Sequence, residues 1–408
     1  MKNETTSLLA SRATNVFYYR VLLALSFHFL LFNGCSDKIQ NSDEIQDPEA
    51  GRLIHIPDDY PSIQMGIDIA EDGDTVLVER GGYIEHLNFL GKAIVVTSNY
   101  LFTKDSTDII ETIISGKRNG RVVTFENIER STSVLSGFTL VNGLSAYGGG
   151  IGVFNFSNPR LEHLIIHGNR ALYVGGGIGI SGQSIPTIIN TEIYGNTAAS
   201  GGGIGIFQGN ILFNPKTKIQ NVIIRNNQAE NGGGIYVQYG FPTLINVAIF
   251  RNRGLTSWPF VQRGGGIHLD RSQMSLENVT ITENLALWGG GIYRAQLIES
   301  PGEEDKQLSI INSILWGNSP QEIAFYSQDS SNINHVLSVS YSNIQEGESG
   351  ILISGNNIEQ SWGAGNIDLD PLFCDEFGND YRIAQNSPSA GSGQDGANMG
   401  AFGVGCEP

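Results

Sequence analysis

The chain has 408 residues, enough for two ordinary domains or for one long repeat array. It contains 52 glycines but only 4 methionines, and this balance favours tight turns over helices. The net charge is −17 at neutral pH. We exclude nucleic acid as a partner, because a nucleic-acid-binding protein needs a basic face to neutralise phosphates.

The amino terminus has the features of a secretion signal. A basic stretch precedes an apolar run at residues 21–32, which is shorter than the roughly 20 residues that a membrane-spanning helix requires. The run leads into Cys35 through a segment that resembles the cleavage box of bacterial lipoproteins. We therefore predict a signal peptide at residues 1–34 and lipidation of Cys35. An ordinary signal peptide cleaved nearby is the alternative.

The segment after the predicted signal is polar, acidic and without periodicity. We interpret residues 35–52 as the lipidated cysteine followed by a flexible tether. A lipidated chain with such a tether is expected to be secreted across the inner membrane and held by its lipid at the outer membrane or cell surface.

Three sequence features then recur together at intervals of 25 to 34 residues. Gly-Gly-Gly-Ile begins at Gly148, Gly175, Gly201, Gly232, Gly264 and Gly289. One asparagine column comprises Asn169, Asn196, Asn227, Asn252, Asn284 and Asn318. Six residues before it stand Asn190, Asn221, Asn246, Asn278 and Asn312, with His163 in the first copy. Such a repeat predicts a stack of similar coils.

The periodicity within each copy is that of short β-strands, with β-branched residues in alternation and no helical stripe. The repeats predict an internal aliphatic ladder of Ile166, Ile193, Ile224, Ile249, Ile281 and Leu315. Asparagines suit the bends because they tolerate left-handed backbone. We expect the column from Asn190 to Asn312 to form one stacked interior ladder, with His163 as a structural substitute.

These repeats resemble those of right-handed parallel β-helix proteins of the pectate-lyase-like superfamily. Residues 54–96 resemble the opening of that superfamily, and the resemblance implies a short capping helix from Ser62 to Ala70. Residues 365–403 resemble the closing cap of bacterial β-helix surface proteins. The expectation is an all-β solenoid of about ten coils at 53–364, followed by a cap at 365–408.

Two cysteines remain after the predicted signal, Cys374 and Cys406. An even pair in a secreted chain favours one disulfide, which here would close the carboxy-terminal end.

The usual catalytic signatures are missing from the sequence, which has no Gly-x-Ser-x-Gly, no His-Glu-x-x-His and no Cys-x-x-Cys. The aspartate pair and arginine of pectin esterases have no counterparts to which their roles transfer. A pectate-type lyase needs a base and usually calcium to neutralise the sugar carboxylate. We expect no cofactor and no metal site, with calcium only in the case of lyase activity.

Two outward columns are candidate binding surfaces. The first reads His167, Tyr194, Arg225, Phe250, Thr282 and Trp316. Its flat side chains, about 4.8 Å apart from coil to coil, suit stacking against sugar rings. Tyr194 and Trp316 are the candidate ligand-binding residues here, and ordinary sheet-surface aromatics are the alternative.

The second surface follows the triple glycines. Its first outward position reads Gly152, Gly179, Gly205, Tyr236, His268 and Tyr293, and its next reads Phe154, Ser181, Phe207, Gln238, Asp270 and Ala295. We expect the glycines to leave a flat floor and an insert with Trp258 to form a wall beside the late coils.

The candidate site on this second surface is a small polar and aromatic set in the last three coils. It comprises Tyr236, Gln238, His268, Asp270, Arg271 and Tyr293. His268 is the weak candidate for a base, and Arg271 or Arg294 is the candidate charge stabiliser. The alternative is solvated surface side chains.

The function expected from the sequence is a monomeric, non-catalytic cell-surface lipoprotein that binds extracellular polysaccharide. A polysaccharide lyase or carbohydrate esterase acting on acidic glycans is the first alternative, with His268, Asp270 and Arg271 as catalytic candidates. A structural spacer or adhesin is the second alternative.

Overall fold

The computed structural model describes residues 51–209, 216–255, 262–296, 306–327 and 335–408. Pro48–Pro408 form one compact unit. The predicted signal peptide, Cys35, nearly all of the tether and Trp258 lie outside the described residues. No helix within the described ranges is long and apolar enough to span a bilayer.

Four parallel sheets run along the chain as a solenoid. Sheet A comprises Leu53–Ile56, Thr75–Val78, Val95–Ser98, Val134–Ser136, Arg160–Glu162, Thr187–Ile189, Lys218–Gln220, Thr243–Ile245, Met274–Glu277, Lys306–Ile311, His335–Ser340 and Ile358–Trp362. Sheet B comprises Gly81–Ile84, Thr112–Ser115, Thr139–Val141, Ile165–His167, Glu192–Tyr194, Ile223–Arg225, Ala248–Phe250, Thr280–Thr282, Ile314–Trp316 and Asn343–Ile344.

The other two parallel sheets are C, with ten strands, and D, which has five strands in the middle coils. Sheet C comprises Leu87–Asn88, Val123–Phe125, Ile151–Val153, Ile178–Ser181, Ile204–Phe207, Ile235–Gln238, Ile267–Asp270, Ile292–Gln296, Ile323–Ser327 and Ile351–Gly355. Sheet D comprises Leu144–Tyr147, Arg170–Val174, Thr197–Ser200, Gln228–Asn231 and Arg253–Gly254. The predicted all-β solenoid is confirmed.

Helices are few and short in the described part of the chain. The α-helices are Ile63–Ile69, Tyr100–Thr103 and Ser106–Glu111, and the 3₁₀ helices are Gly347–Gly350 and Gln394–Gly396. The first helix begins after Ser62, whose side chain accepts a hydrogen bond from the Met65 amide. Ile63 and Ile67 are buried in the main core.

The main hydrophobic core, which is largely aliphatic, extends through the described solenoid from Ile54 to Ile351. The predicted ladder from Ile166 to Leu315 is confirmed, because its six residues pair in register and are fully buried. The triple-glycine corners leave no room for a β-carbon: one added at Gly149 would lie 2.5 Å from the carbonyl oxygens of Arg170 and Gly176.

The two asparagine columns differ from expectation. The column from Asn190 to Asn312 occupies left-handed bends, with φ between 49° and 55°, as its residue type predicts. Four of its five members are only half-buried, so the predicted interior position is wrong. The interior ladder is instead the column from Asn169 to Asn318, whose six members are all buried.

The carboxy-terminal segment contains the small sheet E, with strands Phe373–Asp375, Asp380–Ala384 and Val404–Cys406. The predicted disulfide between Cys374 and Cys406 is present. The segment folds back along the side of sheet B. The Ala401 amide donates to Thr280 Oγ1 at 2.9 Å, and Arg251 Nη1 donates to Asn379 Oδ1 at 2.6 Å.

Candidate functional site

The early coils of sheet C do not form the flat open floor expected from their glycines. The predicted register of Gly152, Gly179 and Gly205 is confirmed. A β-carbon at Gly179 would lie 2.5 Å from the Gly148 amide nitrogen, and one at Gly205 would lie 2.3 Å from Val174 Cγ1. The corners of neighbouring coils therefore cover these positions, and glycine is required because backbone packs on backbone.

In the late coils, Tyr236, His268 and Tyr293 lie in register on adjacent strands. His268 meets both tyrosines edge to face, with ring centroids 5.3 and 5.1 Å apart. Only 4 % of His268 is exposed, and neither ring nitrogen has a hydrogen-bond partner. Burial lowers the pKa of His268 to about 3. The imidazole is therefore neutral and forms part of an aromatic floor, and this environment does not favour a general base.

The next outward column runs from an exposed ring at Phe207 to a carboxylate at Asp270 that is only 8 % exposed. Phe207, Gln238 and Asp270 pair in register on three adjacent strands, and 38 % of Phe207 is exposed. The Gln238 amide donates to Asp270 Oδ2. Arg271 donates to the same carboxylate from Nε at 3.1 Å and from Nη2 at 3.2 Å. We refer to Phe207, Gln238, Asp270 and Arg271 as the polar row.

Neighbouring tyrosines flank the polar row. The guanidinium carbon of Arg271 lies 4.6 Å from the Tyr239 ring centroid. Tyr236 lies two residues before Gln238 on the same strand face and is half-buried, and burial raises the pKa of its hydroxyl. The exposed ring of Phe207 is thus followed by the amide of Gln238, the carboxylate of Asp270 and the guanidinium of Arg271. Hydrogen bonds among the last three groups fix their orientations.

Arg294 does not belong to this surface, so its expected role as an outward charge stabiliser is wrong. It pairs in register with Leu269 and Phe325, both of which point into the core. The Arg294 side chain is fully buried, with its guanidinium carbon 4.6 Å from the Phe325 ring centroid. Strand alternation around outward Tyr293 requires this inward direction.

The aromatic column of sheet B offers few free ring faces. The rings of His167 and Tyr194 stack on each other at 4.7 Å and 9°, and the guanidinium carbon of Arg225 lies 4.1 Å from the Tyr194 ring centroid. Both faces of Tyr194 are therefore occupied by its own neighbours, which disfavours stacking against a sugar.

The carboxy-terminal segment covers the later part of the same column. The ring of Phe250 contacts Tyr381 at a centroid distance of 4.6 Å. Trp316 packs against a cluster that contains Ile383 and Met399. Trp316 therefore packs against the carboxy-terminal segment where that segment folds back onto sheet B. The periodicity of the repeat does not indicate this long-range contact.

Sequence reasoning missed a pair of exposed aromatic side chains on sheet D. Tyr147 and Tyr173 are 41 % and 56 % exposed, and their ring centroids are 5.5 Å apart. The available signal was the apolar stretch Ala171-Leu172-Tyr173-Val174, which begins two residues after Asn169 of the interior ladder. Within the described ranges, no cluster of three or more His, Cys, Asp or Glu side chains could hold a metal ion.

Comparison with known proteins concerns the fold. A family model described as "Right handed beta helix region" matches residues 93–286. No curated protein sequence is significantly similar to the chain. Among solved structures, the crystal structure of pectate lyase Pel9A is similar over 84 % of this chain and 91 % of that chain, with 14 % sequence identity and a TM-score of 0.46.

Proposed function

The chain is a right-handed parallel β-helix, and we propose that it is a non-catalytic cell-surface protein that binds extracellular polysaccharide along sheet C. The observation that carries the proposal is the polar row, in which exposed Phe207 precedes Gln238 and Asp270 in register.

The chemistry of the polar row suits a sugar chain. The face of a phenyl ring packs against the apolar face of a pyranose, while planar amide, carboxylate and guanidinium groups bond its hydroxyls. The carboxylate of Asp270 is already bonded to Gln238 and Arg271, so little conformational freedom is lost when a ligand binds. Successive strands present these groups about 4.8 Å apart, which favours an extended ligand across the strands.

Non-catalytic binding accounts for the residues better than lyase or esterase chemistry. The candidate base, His268, is buried and neutral, and the carboxylate of Asp270 is engaged by an amide and a guanidinium. Tyr236, His268 and Tyr293 then pack beside the polar row in the neighbouring outward column instead of contacting the ligand directly.

The proposed location follows from the amino terminus. Lipidation of Cys35 would attach the protein to a membrane, with the tether before residue 53 separating the lipid from the solenoid. Cys35→Ala should release the protein into the soluble fraction after a high-salt wash, as measured by fractionation and immunoblotting. Retention in the membrane under those conditions would reject Cys35 as the acylation site.

The binding proposal is tested with residues 48–408, the compact unit that carries its own core. The unit is titrated against acidic and neutral polysaccharides by calorimetry, while released acid and ultraviolet absorbance of unsaturated products are recorded. Binding without products is expected. Product formation would replace the proposal with the lyase or esterase alternative.

A pair of variants locates the site. Phe207→Ala should weaken binding about five-fold, since a stacking aromatic ring contributes on the order of 1 kcal/mol. Phe102→Ala removes another exposed ring outside sheet C and should leave the affinity unchanged. Equal losses in both variants, or none in either, would show that the polar row is not the site.

A further inference from the structure

Exposed apolar residues lie at both ends of sheet D and its continuation, while the described coils between them, at 197–200, 228–231 and 253–254, add no large exposed apolar side chain. The outward residues are Tyr147, Leu172, Tyr173, Leu285, Leu287 and Trp288. Leu285 and Trp288 belong to the same edge because parallel bridges join them to Arg253 and Arg263. We refer to these six residues, together with the exposed cations Lys117, Arg118, Arg170 and Arg253, as the basic-apolar stripe.

Local strand geometry exposes two of these side chains. The strand Arg170–Val174 has one residue more than its neighbour Thr197–Ser200, and the register shifts between Arg170 and Val174. An extra residue of this kind re-aims side chains. Leu172 and Tyr173 consequently point into solvent, with Tyr173 beside Tyr147.

The charge of this stripe is opposite to that of the whole protein. Lys117, Arg118, Arg170 and Arg253 are exposed along it, and none of them forms an ion pair with a described residue. The turn with Lys117 and Arg118 adjoins the first strand of sheet D, since the Leu144 amide donates to the Gly120 carbonyl at 2.8 Å.

Acidic groups are nearly excluded from the same rows. Glu230 is the one carboxylate in the described segments 142–147, 170–174, 197–200, 228–231, 253–254 and 285–288. The same segments contain two arginines, Arg170 and Arg253, so cations outnumber acids there, whereas the whole chain has 41 acidic and 24 basic residues. The distribution therefore indicates a partner that is anionic.

We propose that the basic-apolar stripe lies side-on against an anionic lipid bilayer. Tyrosine and tryptophan favour the interface between headgroups and acyl chains, and exposed leucines gain free energy by entering the acyl boundary. Arginine and lysine meet the anionic headgroups. The stripe spans about seven coils, roughly 30 Å at 4.8 Å per coil, which is long enough to orient the solenoid along the surface.

The aliphatic side chains favour lipid over a glycan at this stripe. A sugar is bound by ring faces and directed hydrogen bonds, as in the polar row, whereas Leu172, Leu285 and Leu287 offer neither. The proposal depends neither on polysaccharide binding nor on acylation of Cys35. If Cys35 is acylated, the stripe determines how the anchored protein lies.

Vesicle sedimentation of residues 48–408 tests the stripe, with vesicles of equal phosphatidylglycerol and phosphatidylcholine beside vesicles of phosphatidylcholine alone. Binding to the anionic vesicles is expected, and it should weaken as salt is raised. Arg170→Glu should reduce binding at least five-fold, since each cation near a charged surface contributes about a five-fold change in affinity. Leu172→Ser combined with Tyr173→Ser should reduce it on the order of ten-fold.

Matched controls separate the stripe from general surface effects. Phe377→Ser and Lys216→Glu remove an exposed ring and an exposed cation elsewhere and should leave vesicle binding unchanged. Trp288→Ser probes the far end of the stripe independently of the bulge. Circular dichroism confirms that each variant is folded.

Three outcomes would overturn the proposal. They are no binding to anionic vesicles, equal losses in the stripe and control variants, or binding of a soluble anionic polysaccharide in place of vesicles. Phe207→Ala distinguishes this proposal from the preceding one, because it should weaken polysaccharide binding while leaving vesicle binding intact.

Discussion

Two columns of asparagine run along the solenoid, and they use the same side chain in different ways. In the interior ladder each Oδ1 after that of Asn169 accepts from both the backbone and the side-chain nitrogen of the preceding asparagine. Asn227 Oδ1, for example, accepts from Asn196 N at 3.0 Å and Asn196 Nδ2 at 3.1 Å. In the column from Asn190 to Asn312, called here the bend column, all side chains but that of Asn312 are half-buried, and the backbone is left-handed.

The difference shows that backbone conformation and burial decide what an asparagine contributes. An interior amide must have all its partners inside the protein, so each member depends on the next. In the bend column the chain of hydrogen bonds from one asparagine side chain to the next is interrupted. Asn246 donates to Asn221 at 2.8 Å, but Asn278 donates to the Asn398 carbonyl of the carboxy-terminal segment instead. Its main contribution is tolerance of positive φ.

The largest effect is expected from breaking the interior ladder in its middle. Asn227→Ala removes the bonds of Asn227 Nδ2 to the Ile193 carbonyl and to Asn252 Oδ1, both at 2.9–3.0 Å, and leaves Asn196 without its acceptor. Several buried groups then lose their partners, so the free energy of unfolding should fall by about 3–5 kcal/mol. Urea denaturation measures this change. A loss below about 1 kcal/mol would contradict the assigned role of the ladder.

The end of the interior ladder should make stability depend on pH. Asn318 donates from its backbone nitrogen to Glu322 Oε1 at 3.0 Å and from Nδ2 to Oε2. Burial raises the pKa of Glu322 from 4.5 to about 7. The folded state therefore holds a proton that the unfolded state releases. Stability is full below pH 4.5 and should fall by about 3 kcal/mol as the pH rises to 7.

Glu322→Gln isolates this titration from the others. The variant keeps a neutral side chain at the end of the ladder and cannot ionise, so its stability should lack this decline. The difference in unfolding free energy between the native protein and the variant, measured at several values between pH 4.5 and 7, is the relevant quantity. A constant difference over that window would reject the assignment.

Much of this architecture is predictable because a period fixes register. The aliphatic ladder from Ile166 to Leu315 and the strand positions of Tyr236, His268 and Tyr293 follow from counting residues within the repeat. Counting does not reveal which asparagine column is interior, because both columns have the same residue type and period. Backbone φ separates them, and a single sequence does not display it.

The candidate site was harder to predict because exposure depends on contacts outside the repeat. Trp316 has an outward strand position, but the chain returns more than sixty residues later and packs Ile383 against it. His268 is likewise outward in register yet closed off between two tyrosines. Tyr173 was missed for the opposite reason, since a one-residue bulge exposes it where the repeat predicts an ordinary strand.

The smallest effect in the comparison is expected in the bend column. Asn246→Ala removes one amide–amide bond to Asn221 and places alanine at φ 55°, which costs about 1–2 kcal/mol. Asn246→Gly removes the same bond but accepts the left-handed backbone, so it should cost less than alanine. At Asn227, where φ is not positive, glycine should be no better than alanine. Thermal denaturation tests this with four variants, which carry alanine or glycine at Asn246 and at Asn227. Glycine should give a higher Tm than alanine at Asn246 only. A higher Tm for glycine at both positions, or at neither, would contradict the distinction between the columns.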